Sequence, residues 1–509
     1  MNTLLFAGLD GLILGAGLGL RIWTPYQKLA MTSLFLGFWP MLWLHDLPTP
    51  LQLLVWGIGL GMGVLTLMQQ RDLFYLPPPS SASPSERRSD IRELMQPVHA
   101  PAFNPSSYFN ATLGCFMGLG KNGPCYQPYP LPHIQICGST GSGKSAFMGV
   151  LAAQCMLAGE AVAYFDPKHD VWAFSVLKTA AAHAGCSFHV LDLRPEAPPQ
   201  FNLIDGASTH ELEELLIAGL ELHDLGNEAD HYRLADRQAA YRTAHAWHCG
   251  DTLHTLYARE GQRLQRQAPG FAGKLRELAR LPAAQAQHGL HLPSWLEQGG
   301  TLYILGSTRH DAVKRLQRMV LLRLLQLAEH RHQEQTRTMA LLLDEFKYHL
   351  CRSSLDALGT ARDKNVHMVL AHQSLGDLAA GPLNMDAQAV AAIVAENCTL
   401  KMIYRLQDPD TAHWMSRRSG QQRIYENSWT YRPHDLLDRV ALREATGPYV
   451  DENTLLSLPW GSAMLFGSKL PMEVRISPYP TLHHRIKVDA AEGTHETLDF
   501  THLKQRHHA

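Results

Sequence analysis

The fold of this chain is decided by residues 133–145, which read HIQICGSTGSGKS. The first five residues have an apolar strand pattern, and residues 146–158 have the composition of a helix. Between them the sequence fits GxxxxGK[ST], a loop that wraps a phosphate group between a strand and a helix. The loop residues are Gly138, Ser139, Thr140, Gly141, Ser142, Gly143, Lys144 and Ser145. The sequence therefore predicts a phosphate-binding loop (P-loop) in an α/β fold.

Each residue type in this loop suits one part of a nucleotide bound with Mg²⁺. Glycines allow backbone N–H groups to close around phosphate oxygens at a helix N-terminus. Lys144 is expected to reach the β and γ phosphates, and the hydroxyl of Ser145 is expected to bind Mg²⁺. We therefore predict ATP and Mg²⁺ as cofactors, with all eight loop residues contacting ATP.

Two further strand patterns end in polar residues that suit ATP hydrolysis. Residues 339–343 are apolar and lead into Asp344 and Glu345. Asp344 is predicted to hold Mg²⁺, and Glu345 is predicted to polarise the attacking water. Residues 366–371 lead towards Gln373, a candidate sensor of the γ-phosphate, because α/β sheets bind ligands at the carboxyl ends of their strands. Lys144, Glu345 and Gln373 are thus predicted to be catalytic.

Other patterns in the sequence do not add a second ligand site. Residues 118–123, GLGKNG, fit the dinucleotide pattern GxGxxG, but Pro124 follows and no helix pattern comes next, which favours a hairpin turn. The eight cysteines and 28 histidines show no zinc spacing, and the cysteines are typical of small buried residues in a reducing compartment. A net charge of −2 indicates no overall field that would attract nucleic acid.

The first 76 residues are predicted to anchor the chain in a membrane. Three apolar runs, residues 4–20, 29–44 and 51–68, are each close to the ~20 residues that span a bilayer. Because the first run contains Asp10, spanning the bilayer and lying at its interface both stay open for it. The loop 45–50 has no Lys or Arg, whereas basic residues flank the later two runs. This asymmetry places the loop outside and the main body in the cytoplasm.

The remainder divides by pattern into a linker, an α/β domain and an insertion. Residues 77–100 are rich in Pro and Ser and predict a linker. Alternating strand and helix patterns predict an α/β nucleotide-binding domain over 101–206 and 299–489. Strand patterns are absent over 207–298, where runs such as 211–222 and 253–281 have the pattern of amphipathic helices. We expect the C-terminal tail, 490–509, to be mobile and a candidate for binding a partner.

The inserted domain contains a cluster of basic residues with two possible roles. They are Arg259, Arg263, Arg266, Lys274, Arg276 and Arg280. Contact with DNA and a solvated helix face both fit such a cluster, and the sequence leaves the choice open.

Taken in order, these motifs resemble those of the type IV coupling proteins. These are membrane-anchored hexameric ATPases of conjugation and type IV secretion, related to the FtsK and HerA DNA translocases. Further matching stretches are Asp166-Pro167-Lys168, residues 201–203, 343–346, 397–401 and 404–408, and Ala361-Arg362. The family often has glycine after the Lys of the first stretch, where this chain has His169, so the role of that loop stays open.

The resemblance implies that the α/β domain is RecA-like and that residues 207–298 form an inserted all-α domain. It also implies a function for the whole chain. A homo-hexamer in the bacterial inner membrane would hydrolyse ATP to recruit DNA, or a relaxase–DNA complex, and pump it to the channel components of a type IV secretion system. Arg362 would act as an arginine finger in the neighbouring subunit's site, and a plain surface arginine is the alternative. Two other functions stay open: a secretion ATPase for protein effectors only, and a nucleotide-gated receptor that docks substrate without processive work.

Overall fold

A computed structural model describes residues 102–228, 230–331, 336–379, 385–430, 439–467, 469–481, 487–489 and 495–497. The predicted anchor, the predicted linker and most of the predicted tail lie outside these residues. Among the helices that are described, none is long and apolar enough to cross a membrane. The described chain forms a main unit and a second unit within residues 421–447, whose described residues form two paired strands.

The main unit is built on an eleven-stranded sheet. Its strands are β1 (Cys115–Gly120), β2 (Gly123–Gln127), β3 (Ile134–Cys137), β4 (Ala161–Asp166), β5 (Phe188–Asp192), β6 (Gly300–Leu305), β7 (Met339–Leu343), β8 (Val366–His372), β9 (Leu400–Tyr404), β12 (Ser462–Phe466) and β13 (Met472–Arg475). The second unit contains β10 (Gln421–Thr430) and β11 (Arg439–Pro448), and a separate antiparallel pair contains β14 (Lys487–Asp489) and β15 (His495–Thr497). Three residues of the predicted tail thus form a strand.

The strand order is β2-β1-β13-β12-β9-β3-β8-β7-β4-β6-β5. The seven strands from β9 to β5 are parallel, and β12, β13, β1 and β2 continue the sheet in antiparallel pairs. Parallel strands end at the same edge of a sheet, which we call the carboxyl edge. The loops that follow β3, β8, β7 and β4 are therefore neighbours at this edge, although they are far apart in the sequence.

Helices cover both faces of the sheet. They are α1 (Lys144–Leu157), α2 (Val171–Ala184), α3 (Thr209–Gly219), α4 (Asp230–His245), α5 (Leu253–Gln267), α6 (Pro269–Ala279), α7 (Leu292–Gln298), α8 (Asp311–Glu329), α9 (Arg352–Thr360), α10 (Leu375–Ala379), α11 (Ala387–Asn397), α12 (Pro409–Arg418) and α13 (Glu452–Ser457). Short 3₁₀ helices cover Pro105–Tyr108, Pro282–Ala284, Phe346–Tyr348 and Ala361–Lys364.

Two hydrophobic cores form because successive side chains of a strand point to opposite faces. In β4, Ala163 and Phe165 enter the core that contains helices α3 to α9, whereas Val162 and Tyr164 enter the core that contains α1 and α2. All six residues of β4 are buried, as expected for a parallel strand covered on both faces.

The segment between β5 and β6 contains helices α3 to α7, and its apolar residues share one continuous core with a face of the sheet. The sequence predicted helical structure throughout 253–281, but the structure divides this run into α5 and α6. The division falls at Ala268-Pro269, because proline has no N–H to continue the helix and is favoured at a helix start. The predicted hairpin turn at 118–123 is present between β1 and β2.

Candidate nucleotide-binding site

The P-loop connects β3 to the first residue of α1 and has the backbone that its glycines allow. Gly141 and Gly143 have φ of 77° and 120°, a region that other residues rarely adopt. A Cβ on Gly138 would lie 2.5 Å from the Tyr404 Cβ, and one on Gly143 would lie 2.9 Å from the Tyr404 ring. Glycine is therefore required both by the conformation and by the close approach of β9.

Hydrogen bonds inside the loop hold it in a tight turn. Ser142 Oγ donates to the Ser139 carbonyl over 2.7 Å, and Ser139 N donates to the Arg405 carbonyl over 2.9 Å. Ser139 Oγ is buried without a hydrogen-bond partner among the described residues, although a buried hydroxyl normally has one. This orphaned hydroxyl, together with the tight glycine turn, fits a loop that binds a polar group such as a phosphate.

Lys144 lies over its own loop at the start of α1. Its Nζ donates to the carbonyls of Gly138 and Ser139 over 2.6 and 3.0 Å. Burial and the nearby charge of Lys168 lower its pKa, whereas Glu345 and Asp344 act in the opposite direction. The structure thus places the Lys144 ammonium close to the predicted acidic pair.

The acidic pair stands at the carboxyl end of β7, and both side chains are buried. Burial, opposed by the charge of Lys168 and reinforced by the neighbouring carboxylates of Asp166 and Glu345, raises the pKa of Asp344 to about 6. Glu345 has a left-handed φ of 48°, which is uncommon for a residue with a side chain. A turn of this kind directly after β7 holds both carboxyls at the carboxyl edge.

Glu345 lies at the centre of a polar cluster formed from three strand ends. Its Oε1 forms an ion pair with Lys168 Nζ and accepts a hydrogen bond from Gln373 Nε2 over 2.9 Å. Its Oε2 lies 3.4 Å from Lys347 Nζ. Burial alone would raise the pKa of Glu345, but the hydrogen bonds from Lys168 and Gln373 lower it. Glu345 is thus held as a carboxylate, the form that can orient a water molecule.

Lys168 was not among the site residues predicted from the sequence, and the loop that carries it is firmly held. Asp166, at the end of β4, accepts hydrogen bonds from the backbone N–H groups of Lys168 and Asp170 over 2.8 and 2.6 Å. The sequence contains the Asp-Pro-Lys stretch at the end of β4. Placing it next to Asp344 requires the strand order, in which β4 is the neighbour of β7. His169 has a φ of 61°, which explains why glycine suits this position in related chains.

A tryptophan also lies beside the loop, and no sequence pattern indicated it. Gly461 N donates to the Ser142 carbonyl over 3.3 Å, which brings the half-exposed Trp460 next to Gly141. The Arg405 guanidinium lies 5.6 Å from the centre of the Trp460 ring. An aromatic ring in this place offers a flat apolar surface beside the phosphate-binding turn.

Arg362 lies far from the P-loop of its own chain. It is exposed in the 3₁₀ helix that precedes β8, and its charge, after burial and His367, contributes to lowering the pKa of His133 to about 4. Arg362 and His133 lie at the amino-terminal ends of β8 and β3, whereas Gln373 and the P-loop follow the carboxyl ends of the same strands. The length of β8, roughly 20 Å at about 3.3 Å per residue, therefore separates Arg362 from the P-loop edge. Arg362 therefore does not belong to the cluster around Glu345 within one subunit.

Half of the basic cluster in the helical segment is engaged within the chain. Arg259 pairs with Asp251 over 2.6 Å, Arg263 pairs with Glu260 over 2.7 Å, and Lys274 Nζ donates to the Leu220 carbonyl over 2.8 Å. These contacts favour the solvated helix face over direct contact with DNA for these three residues.

The residues at the carboxyl edge form a donor set that fits a nucleotide with Mg²⁺. The P-loop offers backbone N–H groups and Lys144 for phosphates, while Ser145 and Asp344 offer the oxygen atoms that Mg²⁺ prefers. Glu345 and Gln373 lie hydrogen-bonded to each other at the adjacent strand ends. Chemically, such a set can bind a polyphosphate and position a water molecule for attack on it.

Known proteins are similar to parts of this chain in sequence and in fold. The family model described as "TraM recognition site of TraD and TraG" matches residues 338–448. Mobilization protein A of Escherichia coli is 31% identical, and the alignment covers 61% of each chain. This chain thus spans about three fifths of the length of that curated relative.

Solved structures of the conjugative coupling protein TrwB have a similar fold. The unbound form TrwBdeltaN70 has a TM-score of 0.56 at 16% identity and covers 77% of this chain and 98% of its own. TrwB in complex with ADP and Mg²⁺ has a TM-score of 0.54 at 17% identity, covering 69% of this chain and 86% of its own. TrwB in complex with the ATP analogue ADPNP has a TM-score of 0.55 at 16% identity, covering 78% of this chain and all of its own. The matched segment and the mixed α/β fold with its P-loop thus make this chain similar to the type IV coupling proteins TraG, TraD and TrwB.

Proposed function

We propose that this chain binds ATP with Mg²⁺ and hydrolyses it at the carboxyl edge of the sheet. The observation that carries this proposal is the convergence of the P-loop, Asp344, Glu345, Gln373 and Lys168 from four neighbouring strand ends. TrwB, which has a similar fold, has been solved with ADP and Mg²⁺ and with an ATP analogue. ATP and Mg²⁺ are thus the cofactors that suit this donor set.

Each residue of the site has its own role in binding the nucleotide or in positioning the attacking water. The P-loop amides and Lys144 bind and orient the phosphates, which requires Lys144 Nζ to exchange its bonds to the Gly138 and Ser139 carbonyls for phosphate oxygens. Ser145 and Asp344 would hold Mg²⁺, which would supply positive charge beside the phosphates. Glu345 accepts a hydrogen bond from the attacking water, and Gln373 fixes the orientation of the Glu345 carboxylate.

We further propose that hydrolysis powers the transfer of DNA, or of a relaxase–DNA complex, to a type IV secretion channel. The match to the TraM recognition segment and the similarity to Mobilization protein A support a partner in the relaxosome. Within this proposal the chain is a homo-hexamer in the bacterial inner membrane, anchored by residues 1–76 with its main body in the cytoplasm. Arg362 then completes the site of the neighbouring subunit, a role that its position at the opposite edge of the sheet from its own P-loop supports.

The test measures ATP hydrolysis and transfer with the same variants. The purified full-length chain is assayed for ATPase activity with and without single-stranded DNA, and the same variants are assayed for DNA transfer between cells. We expect Lys144→Ala to abolish both hydrolysis and transfer, because it removes the charge that faces the phosphates. Lys121→Ala, an exposed lysine in the turn between β1 and β2, is the matched control and should retain both.

The outcomes separate the parts of the proposal. Wild-type transfer by Lys144→Ala would refute a function powered by hydrolysis. If single-stranded DNA does not raise the ATPase activity and only protein substrates are transferred, the substrate is a protein effector and not DNA.

A further inference from the structure

Three buried side chains with metal-binding atoms meet at the sheet edge opposite the P-loop. Cys155 lies in the last turn of α1, Glu160 lies just before β4, and His367 is the second residue of β8. Their exposed fractions are 0%, 7% and 2%. One ligand atom from each residue lies within 4.8 Å of the other two. The cluster belongs neither to the candidate nucleotide site nor to any motif found in the sequence.

The distances between these atoms are close to those around a tetrahedral metal ion. Cys155 Sγ lies 4.0 Å from His367 Nε2, which lies 2.8 Å from Glu160 Oε2. Zinc–sulfur bonds of about 2.3 Å and zinc–nitrogen or zinc–oxygen bonds of about 2.0–2.2 Å place tetrahedral ligands roughly 3.3–3.6 Å apart. Shifts of about half an ångström, well within side-chain rotation, would bring these two pairs of atoms to such separations. The Cys155 sulfur and a Glu160 carboxylate oxygen lie within 4.8 Å of each other.

One polar atom of this cluster is not satisfied by the protein. His367 Nδ1 is buried without a hydrogen-bond partner among the described residues, whereas His367 Nε2 is paired with Glu160. Buried polar atoms are normally paired, so the unpaired imidazole nitrogen needs an explanation. A thiol, an imidazole and a carboxylate form the donor set of zinc-class ions, whereas Mg²⁺ and Ca²⁺ prefer oxygen atoms alone.

A cavity borders the cluster on the side of Glu160. Its volume is about 680 Å³, and its lining includes Glu160, Tyr129 and Gly159 but neither Cys155 nor His367. An ion, and a water for a fourth ligand position, would therefore enter past the Glu160 carboxylate. Three protein ligands plus water is a coordination that zinc commonly adopts.

We propose that Cys155, Glu160 and His367 bind a zinc-class divalent ion. On binding, the proton that His367 Nε2 shares with Glu160 moves through solvent to His367 Nδ1, which frees the Nε2 lone pair for the metal. Glu160 binds as a carboxylate, and the Cys155 thiol binds as a thiolate and releases its proton to solvent. The ion joins the end of α1 to the start of β8. Lys144 begins the same helix and Gln373 follows the same strand, so the ion braces two elements of the nucleotide site at their far ends.

The test uses Co²⁺ as a probe, because a thiolate bound to Co²⁺ gives a near-ultraviolet charge-transfer band that histidine sites do not give. The purified full-length chain is treated with a chelator, and the band is followed during titration with Co²⁺ and then in competition with Zn²⁺. We expect one such site per chain, loss of the band in Cys155→Ser, and affinity at least ~10-fold weaker in His367→Gln. Cys398→Ser, which alters a fully buried thiol outside the cluster, is the matched control and should keep the band.

Two results would overturn the proposal: no thiolate band in the wild-type chain, or a band that persists in Cys155→Ser. Circular dichroism checks that each variant folds. If Cys155→Ser does not fold, Glu160→Gln decides the question, because it keeps the size of the side chain. Co²⁺ affinity in Glu160→Gln equal to that of the wild type would then refute the site.

Discussion

Replacing Asp344 by asparagine should stabilise the fold and abolish hydrolysis at the same time. Burial holds the pKa of Asp344 at about 6, above its ordinary value of 3.8. The folded chain therefore binds this proton more tightly than the unfolded chain does. Stability falls as the pH rises from about 4 to about 6, and the loss is complete above pH 6. Asparagine has nearly the same shape but does not ionise, so the variant avoids this loss.

The size of the effect follows from the difference in pKa. About two pKa units at 1.36 kcal/mol each give on the order of 3 kcal/mol at pH 7.5. At pH 5 the loss in the wild type is only about half complete, so the advantage of Asp344→Asn should fall to about half. With an unfolding entropy of about 2.1 cal/mol/K per residue and roughly 400 folded residues, 3 kcal/mol corresponds to a rise in Tm of about 3–4 °C.

The assay is differential scanning calorimetry of wild type and Asp344→Asn without nucleotide at pH 5 and pH 7.5, together with Mg²⁺-dependent ATPase activity. The matched control is Asp356→Asn, whose side chain is 74% exposed and which should change Tm by less than about 1 °C at both pH values. A lower Tm for Asp344→Asn at pH 7.5, or the same gain at both pH values, would refute the reasoning. Retained Mg²⁺-dependent activity would show that Asp344 does not hold the metal.

Three further predictions concern the other charged residues of the proposed site. Lys168→Ala should move the acid limb of the ATPase pH profile upward by roughly one pH unit, because the pKa values of Asp344 and Glu345 rise without the nearby cation. Lys168→Arg should restore the wild-type profile. An acid limb that does not move in Lys168→Ala would argue against the pairing of Lys168 with these carboxylates. Glu345→Gln should retain ATP affinity in a binding assay but lose at least ~100-fold in turnover, whereas a collapse of affinity would make Glu345 structural. Arg362→Ala should lose ~10³–10⁵-fold in turnover at unchanged affinity, and mixing it with Lys144→Ala should restore part of the activity by rebuilding intact interfaces. Wild-type turnover by Arg362→Ala alone in assembled rings would make it a surface arginine.

The parts of the site that lie within one short segment were predictable from the sequence. A P-loop binds phosphate through consecutive backbone N–H groups, so all the residues that define it lie within the single segment 138–145. The same holds for the acidic pair after β7 and for Gln373 after β8, because each follows directly from an apolar strand pattern. Their meeting was expected from the rule that ligands bind at the carboxyl ends of parallel strands.

In the helical segment between β5 and β6, the local hydrophobic pattern does not predict where one helix ends and the next begins. The run 253–281 has continuous helical periodicity, yet the chain turns at Pro269 and forms two helices. Periodicity reports which face is apolar, whereas the break depends on the missing N–H of one residue. The pairing of half the basic cluster with acidic and carbonyl groups also depends on contacts that periodicity does not show.

By itself, the sequence of this chain determined an α/β fold, a P-loop at residues 138–145 and the identity of the polar residues at the ends of β7 and β8. Only the tertiary structure decided that Lys168 pairs with Glu345, that Trp460 lies beside Gly141, and that Cys155, Glu160 and His367 come together at the opposite edge. The physical reason is the range of the interactions. Backbone conformation and phosphate binding depend on neighbours along the chain, whereas contacts between strands depend on the order of strands in the sheet, which is set by packing of the whole core.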